Sequence, residues 1–497
     1  MNNRPNILLI TADQWRGDCL GTVGHEVVKT PHLDAFAETA TVFEQHYAAT
    51  APCSPARASL YTGLYQRNHR VVANGAPLDD RFDNIARAAR RAGYKPTLFG
   101  YTDTSPDPRL HDPNDPALTT YEGVLPGFDV GQSLPEDDKP WLSWLATRGH
   151  DPGSIESIHQ VEPEDGERIS CKAPAYSKED TQTAFLTNRF LSWLTEQEGE
   201  TPWMAHISFL RPHPPITVPA PYNTLYDPAD GPDFAGGTTP EEEAAFHPLV
   251  AALQNHQRLA SHIPGATEHV RDLTRHDLKR LRALYYGMIS EVDAQLGRIF
   301  DALKPQNNTL IIFTSDHAEM MGDHWMLGKG GFYRESYHIP LMIKAPGGAK
   351  SNRVSAFTSA TDIFPTLLDL LELDPEHAPD GASLLPYLSG ETPLGWRDAA
   401  LFEFDYRELA KTNPDLLSDA AGKGSTAVVS RLGPNWHYVH ASGLPGLLMD
   451  AAGGTLENRA AAHPEIVLAQ LETMLSERLA HNDETLARTL VWDYYAQ

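Results

Sequence analysis

Cysteine is scarce in this chain, which has only three among 497 residues: Cys19, Cys53 and Cys171. Three cysteines cannot supply the disulfide framework that stabilises many secreted domains, so we expect a reducing compartment. Long hydrophobic runs are missing too. The apolar run at residues 6–11 is shorter than a signal-peptide core and lacks a cleavage site, and no long apolar stretch follows it. We therefore expect a cytoplasmic protein with no membrane partner.

Positive charge is also in short supply. The chain has 40 lysine and arginine residues against 66 aspartate and glutamate residues, a formal net charge of −26. Such a surface repels the phosphates of nucleic acids, so we expect no nucleic-acid partner. A small anionic substrate is not excluded, because a few cations in one pocket can invert the local field. Charged residues make up 21% and hydrophobic residues 41%, which is typical of a globular protein.

Four short apolar runs end abruptly in polar residues. They lie at residues 7–11, 97–100, 203–210 and 310–315. Their length and continuous apolarity are typical of buried strands in a sheet that is covered on both faces. Helical periodicity is clearest at residues 276–303, with shorter candidates at residues 34–45 and 84–92. This alternation predicts an α/β fold with a large, mostly parallel sheet flanked by helices, which binds ligands beyond the carboxyl ends of its strands.

The pattern changes along the chain. Residues 103–200 and 227–237 are rich in proline, aspartate and glycine, and we interpret them as long excursions that shape a pocket mouth. Further on, residues 436–440 and 447–450 predict short antiparallel strands, and residues 464–480 predict a helix. We therefore predict two domains. They are a catalytic α/β domain at residues 1–380 and a smaller C-terminal α+β domain at residues 381–497.

The sequence CSPARASLYTG at residues 53–63 carries the strongest functional signal. Pro55 suits the first turn of a helix, because its missing N–H is one of the donors that a helix start leaves unpaired. A helix over residues 56–64 would leave Cys53 at its positive end, where an anion or a deprotonated nucleophile is stabilised. Arg57 follows one turn later and can point back toward the same site, where an arginine is suited to holding a tetrahedral oxyanion.

This stretch matches the sulfatase signature C-x-P-x-R-x4-T-G, whose cysteine is oxidised after translation to formylglycine. The chain thus resembles the sulfatase family of the alkaline phosphatase superfamily, and most of all the phosphonate monoester hydrolases and phosphodiesterases. The matching segments are DQ at 13–14, NHR at 68–70, NGAPLD at 74–79, GYT at 100–102, RPHPP at 211–215, TSDH at 314–317, GDH at 322–324 and LGK at 327–329. The resemblance spans most of the chain and implies an alkaline phosphatase-like fold.

The resemblance also implies one divalent cation. In the family, the residues that match Asp13, Gln14, Asp316 and His317 bind this cation together with an oxygen of the formylglycine, here formed from Cys53. Three oxygen donors and one imidazole favour Mn²⁺, and Ca²⁺ stays open because oxygen ligands dominate.

Catalytic roles follow from the same resemblance. Arg57, Lys329 and His213 would neutralise the anionic oxygens of the ester. The hydrated formylglycine at position 53 attacks sulfur or phosphorus, Asp316 resembles the family's candidate base, and His213 or Lys329 protonates or stabilises the departing oxygen. Such relatives are matured by a formylglycine-generating enzyme and are dimers or tetramers, so we expect that partner and a homo-oligomer.

Asn74 and Tyr101 resemble residues of the family that contact the oxygens of the substrate. One nearby position departs from the pattern, because the close relatives carry a threonine two residues after the tyrosine, whereas this chain has Asp103. A carboxylate there would repel a second negative oxygen or favour a substrate that carries a cation. We therefore expect Asp103 to shift preference away from phosphonates, toward sulfate monoesters or an amine-bearing ester.

These residues predict a hydrolase that cleaves phosphonate monoesters, phosphodiesters and sulfate monoesters. A dedicated arylsulfatase with the same machinery is one alternative, because the two activities differ in the leaving-group pocket, which long variable loops form. A phosphatase that keeps Cys53 as an unmodified thiolate is another. A non-catalytic anion-binding protein on the same fold is an alternative of a different class. The intact set Cys53, Arg57, Asp316, His317 and Lys329 argues against it.

Overall fold

The computed structural model describes residues 4–135, 137–197, 201–413, 416, 426–453 and 455–480. Within these ranges no helix is both long enough and apolar enough to cross a membrane. The last part of the predicted C-terminal domain, residues 481–497, lies outside the described residues.

The centre of the fold is a mixed sheet of eight strands. The first nine strands of the chain are β1 (Asn6–Ala12), β2 (Thr41–Tyr47), β3 (Thr50–Ala51), β4 (Pro96–Gly100), β5 (Asp129–Ser133), β6 (Met204–Phe209), β7 (Thr309–Thr314), β8 (Leu341–Lys344) and β9 (Asn352–Ser359). The sheet has the order β5-β4-β6-β1-β7-β8-β2-β9. The first five strands in this order, β5, β4, β6, β1 and β7, are parallel to one another. Strand β8 is antiparallel to both of its neighbours. The four apolar runs form β1, β4, β6 and β7, which confirms the predicted strands.

Helices connect and cover these strands. They are α1 (Pro31–Ala37), α2 (Cys53–Thr62), α3 (Gln66–His69), α4 (Ile85–Arg91), α5 (Lys139–Thr147), α6 (Ile155–Ile158), α7 (Gln182–Thr195), α8 (Pro240–Phe246), α9 (Pro248–His256), α10 (Arg275–Leu303), α11 (Ile363–Leu371), α12 (Leu385–Leu388), α13 (Arg407–Thr412) and α14 (Pro464–Ala480). The side chain of Thr274 starts α10 with a capping box, and Asn84 caps α4 by accepting from two backbone N–H groups. The helices predicted at residues 276–303, 84–92 and 464–480 are confirmed.

The sheet is covered on both faces, as its continuous apolar strands require. Successive residues of β1 point to opposite sides, so Leu8 and Ile10 join one buried apolar cluster, whereas Ile7 and Leu9 join another. The first cluster contains the apolar face of α10, and the second contains apolar residues of α2, α4 and α11. The polar groups at the strand ends therefore lie on a rigid, fully packed support.

Two sequence predictions are wrong in this region. Residues 34–45 do not form one helix, because α1 ends at Ala37 and β2 begins at Thr41. Val42 and Phe43 are buried in the sheet, where β-branched and aromatic side chains pack well, and this tertiary burial decides for a strand. Residues 103–200 are more than a loop excursion, since they contain β5, α5, α6 and α7, and α7 packs against β4 and β6.

A second sheet has five strands in the order β13-β12-β11-β10-β3. Its C-terminal members are β10 (Ala400–Asp405), β11 (Ala427–Leu432), β12 (Trp436–Ala441) and β13 (Leu447–Asp450). These four are antiparallel, which confirms the antiparallel strands predicted at residues 436–440 and 447–450. The remaining member, β3, pairs in parallel with β10 and ends two residues before Cys53. The small sheet thus supports the segment that leads to the signature, while a domain division at residue 380 stays a prediction.

Candidate functional site

The residues singled out in the sequence meet at the carboxyl edge of the large sheet. Asp13 and Gln14 follow β1, Asp316 and His317 follow β7, and Cys53 is the first residue of α2. The N-terminus of a helix thus faces the ends of two neighbouring parallel strands. This is where ligands bind in sheets of this type.

Four of these residues form a compact buried group, which we call the ligand cluster. One donor atom from each of Asp13, Cys53, Asp316 and His317 lies within 4.8 Å of the other three. Sγ of Cys53 is 3.2 Å from Nε2 of His317, which is 3.7 Å from Oδ1 of Asp13. That Oδ1 atom is buried and has no hydrogen-bond partner in the described part of the chain. An unsatisfied buried carboxylate oxygen is costly, so this donor set fits a divalent cation.

Gln14 lies beside the ligand cluster, with its backbone in the left-handed region at a φ of 68°. Oε1 of its side chain accepts from Nζ of Lys329 at 2.7 Å, and Nε2 donates to Glu319. Lysine only donates and an ionised carboxylate only accepts, so these two partners determine the orientation of the amide. Glu319 is held in turn, because its other oxygen accepts from the backbone N–H groups of Met321 and Gly328.

Arg57 is fully buried, and each of its guanidinium nitrogens donates to a protein group. Nε donates to Asp316 at 3.1 Å and Nη2 to Asp13 at 3.0 Å. Nη1 donates to Oγ of Ser208 at 2.8 Å, and the guanidinium also lies over the ring of Tyr101, 4.3 Å from its centre. Arg57 therefore holds both carboxylates of the ligand cluster. The expected contact between Arg57 and substrate oxygens stays a prediction.

Tyr101 and Asp103 follow β4 and lie against the same arginine. The hydroxyl of Tyr101 donates to Oδ2 of Asp13 at 2.5 Å. Oδ2 of Asp103 lies 3.5 Å from Nε of Arg57, and the side chain is 4% exposed. The residue that departs from the family pattern therefore adds a third carboxylate around Arg57. The substrate contacts expected of Tyr101 and Asp103 stay predictions.

Asn74 lies at the start of the signature helix. Its Oδ1 atom accepts from the backbone N–H of Ser54 at 3.0 Å, which satisfies one of the unpaired donors of the first turn of α2. The residue itself is exposed. Asn74 therefore supports the helix end that carries Cys53, and its predicted contact with substrate is not tested by this arrangement.

Lys329 and His213 differ in their protonation. Burial alone would lower the pKa of Lys329, but the acidic groups around it, chiefly Cys53 and Asp13, raise it above its usual value. Burial, together with the charge of Lys329, lowers the pKa of His213 to about 3. Nδ1 of His213 lies 2.9 Å from the carbonyl oxygen of Pro214 and must donate to it, which leaves Nε2 as an acceptor. Lys329 is thus the charged donor of the two.

Negative charge exceeds positive charge in this site. Four carboxylates are at most 4% exposed there: Asp13, Asp103, Asp316 and Glu319. Arg57 and Lys329 offset two of them. Burial and the neighbouring Asp13 raise the pKa of Asp316 to about 7. Burial would also raise the pKa of Asp13, but the surrounding histidine, arginine and lysine side chains hold it well below its usual range. With Asp316 ionised, the excess corresponds to the charge of one divalent cation.

Sequence reasoning missed two residues that hold the site together, Glu319 and Ser208. Glu319 follows the Asp316-His317 pair by two positions, but nothing in the sequence identifies Gln14 as its partner. Ser208 is a polar residue within the buried strand β6, and its Oγ atom accepts from Arg57. A hydroxyl near the carboxyl end of a buried strand is the signal that could have found Ser208.

Comparison with known proteins identifies the family. The family model described as Sulfatase matches residues 5–373. The chain belongs to the sulfatase family. This sulfatase is similar in structure to the phosphonate monoester hydrolase of Agrobacterium radiobacter, with a TM-score of 0.94 and 55% sequence identity, over 99% of this chain and 98% of that one. The resemblance inferred from the signature is therefore confirmed, and so is the alkaline phosphatase-like fold.

Two further relatives cover much of the sulfatase sequence. It is 37% identical to the multifunctional alkaline phosphatase superfamily protein PehA of Trinickia caryophylli, over 97% of each chain. It is 30% identical to an arylsulfatase of Clostridium perfringens, over 82% of each chain.

The buried ion pairs of this sulfatase predict the effect of removing Arg57. In an Arg57→Met variant, Asp13 and Asp316 lose their positive partner but stay buried. We expect the free energy of unfolding of the metal-free protein to fall by about 3–5 kcal/mol. Mn²⁺ should recover part of this loss, because a cation neutralises the same carboxylates. Urea unfolding with and without Mn²⁺ measures both effects.

Arg353→Met is the matched control. Arg353 pairs with Glu44 at 3.1 Å on the surface, with 45% of its side chain exposed, so its loss should cost about 1 kcal/mol or less. An Arg57→Met protein as stable as this control would show that the arginine does not balance the buried carboxylates.

Proposed function

We propose that this sulfatase hydrolyses phosphonate monoesters, phosphodiesters and sulfate monoesters, with formylglycine formed from Cys53 as its nucleophile. One observation carries the proposal. Cys53 is the first residue of α2 and is buried. Its Sγ atom lies within 4.8 Å of one donor atom from each of Asp13, Asp316 and His317. A helix N-terminus favours an anionic nucleophile, and the sulfur stands where the formylglycine oxygens would lie.

The ligand cluster would hold one divalent cation, with Oε1 of Gln14 as a further ligand. The unpartnered Oδ1 atom of Asp13 and the excess of buried carboxylates support this assignment. We favour Mn²⁺ over Ca²⁺ because the donors include an imidazole. When bound, the cation acidifies the attacking hydroxyl group and neutralises an anionic oxygen of the ester.

The remaining residues hold charges and protons around the reacting atoms. Arg57 keeps the two carboxylates of the ligand cluster in place, and Asp316 is assigned as the base that removes a proton from the residue at position 53. Lys329 keeps its proton and offsets the negative charge that develops on the departing oxygen. His213 presents Nε2, which donates only after protonation, so we assign it to an ester oxygen whose negative charge favours the protonated ring.

The proposed substrate range draws on the relatives, whose names include a phosphonate monoester hydrolase and a multifunctional protein of the superfamily. A dedicated arylsulfatase is the second candidate. It is supported by the arylsulfatase relative and by Asp103, which adds a negative charge beside Arg57. The complete set of cationic and acidic residues argues against the non-catalytic alternative.

We further propose where and with what this sulfatase works. A formylglycine-generating enzyme would convert Cys53, as the family signature implies. The scarcity of cysteine supports a cytoplasmic location. A homodimer or homotetramer is proposed from the resemblance alone, and light scattering of the purified protein would measure it.

Mass analysis of the peptide that contains Cys53 tests the nucleophile. In protein produced together with a formylglycine-generating enzyme, we expect an aldehyde at position 53 and turnover of aryl phosphonate, phosphodiester and sulfate esters in proportion to the aldehyde fraction. Cys53→Ala should lower turnover by about 10³-fold or more while the protein stays folded. Full activity with an unmodified thiol would instead support the thiolate mechanism, and a complete aldehyde without turnover the anion-binding protein.

The contact between Glu319 and Gln14 predicts a change in cation affinity. In Glu319→Gln, the side chain at position 319 donates as well as accepts. The amide oxygen of Gln14 can then turn toward position 319 and away from Lys329. We expect the Kd for Mn²⁺ to rise about 10–100-fold. The paired exchange Gln14→Glu with Glu319→Gln restores one donor and one acceptor and should regain affinity. Titration of the metal-free proteins with Mn²⁺, followed by electron paramagnetic resonance, measures this. Equal affinity in wild type and Glu319→Gln would refute the role of Glu319.

The charge of Asp103 predicts a shift in preference. In Asp103→Thr, the ratio of kcat/KM for a phosphonate ester to that for a sulfate ester of the same aryl alcohol should rise about tenfold, since one negative charge beside Arg57 is lost. Asp103→Asn keeps the shape and removes the charge, so it should give a similar shift. If both variants keep the wild-type ratio of kcat/KM values, the proposed effect of Asp103 on substrate preference is wrong.

A further inference from the structure

A second group of cations lines a cavity that shares no residue with the ligand cluster. The cavity has a volume of about 230 Å³ and lies between α3, which follows the signature helix, and strands β10 and β11 of the small sheet. Its lining includes four arginines: Arg67, Arg70, Arg407 and Arg478. We propose that this cavity is a second anion site, which binds a tetrahedral oxyanion such as inorganic phosphate.

Both carboxylates that line the cavity are already paired. Nη1 of Arg67 lies 2.9 Å from Oε1 of Glu403. Arg407 holds Asp405 in a two-point contact, with Nε and Nη2 at 2.9 and 2.7 Å from its two oxygens. Each acidic charge is therefore balanced by an arginine before any ligand binds. The other two arginines make the cavity positive, although the whole chain has a net charge of −26.

Two buried residues that line this cavity carry donors without acceptors. Gln66 is 5% exposed and the side chain of Arg67 is 6% exposed. Nε2 of Gln66, and Nε and Nη2 of Arg67, have no hydrogen-bond partner among the residues that the structure describes. Buried N–H groups are rarely left unpaired, because each loses its bond to water. A tetrahedral oxyanion offers several acceptors at once and matches the planar fork of an arginine.

Arg70 and Arg478 complete the site from its exposed side. Both are exposed, and neither forms an ion pair within the described ranges of the chain. Two guanidinium groups without ion pairs provide the charge that a dianion needs, and Gln66 and Arg67 add N–H donors without partners. The ligand class includes the anions that ester hydrolysis releases, but the argument for binding does not depend on the proposed catalytic function.

The small sheet connects the cavity to the segment that carries the nucleophile. Glu403 lies opposite Thr50 of β3 in the strand register, and its backbone N–H donates to the carbonyl oxygen of Ala49 at 2.8 Å. Glu403 also accepts from Arg67, which lines the cavity. Arg67 and Glu403 therefore link an anion in the cavity to the strand that ends two residues before Cys53.

Titration calorimetry with inorganic phosphate at low ionic strength tests the site in the metal-loaded, full-length protein. We expect two phosphate ions per chain, one at the catalytic centre and one in the cavity. Arg70→Gln with Arg478→Gln should weaken one of them at least tenfold without changing inhibition of ester turnover by phosphate. These arginines are exposed, so the fold should be kept, and the melting temperature checks this.

Arg90→Gln with Arg353→Gln is the control, because it removes the same charge from exposed positions elsewhere and should leave both ions bound. Lys329→Ala should lose only the ion at the catalytic centre, so the cavity can be measured alone, even if the proposed catalysis fails. A single ion in wild type that Lys329→Ala abolishes would overturn the proposal. So would a second ion whose affinity is equal in the Arg70/Arg478 variant and the control.

Discussion

Four buried carboxylates share two cationic side chains at the carboxyl edge of the large sheet. Removing charged groups from water costs several kcal/mol per ion unless a partner compensates, so this excess cannot be accommodated by packing alone. Arg57 compensates part of it by donating to Asp13 and Asp316 together. The unpartnered oxygen of Asp13 marks the place where further positive charge is needed. A divalent cation supplies that charge and the Lewis acidity that ester hydrolysis requires.

The rest of the fold brings these groups together and keeps them rigid. Parallel strands β1 and β7 are neighbours, so their ends deliver Asp13 and Asp316 side by side from positions 303 residues apart in sequence. The signature helix brings Cys53 to the same point, and the small sheet holds the preceding strand β3. Glu319 accepts from the side-chain amide of Gln14, and Lys329 donates to it. These two partners fix the orientation of the amide, because a carboxylate only accepts and a lysine only donates.

Local patterns in the sequence predicted much of this arrangement. The buried strands, the amphipathic helices and the strand-end residues were recognisable because apolar periodicity is a property of neighbouring residues. The strand at Thr41–Tyr47 was not, since its burial between β8 and β9 overrides a helical pattern. The contact of Glu319 with Gln14 and the pairing of β3 with β10 join distant parts of the chain, so no local pattern could reveal them.

The central claim is that one cation balances the buried carboxylates around position 53. Anomalous X-ray scattering from crystals of catalytically active, Mn²⁺-loaded protein tests it most directly. The account predicts one manganese ion per chain, in contact with Asp13, Asp316, His317 and the side chain at position 53. A fully active protein whose cation lies elsewhere, or that contains none, would contradict it.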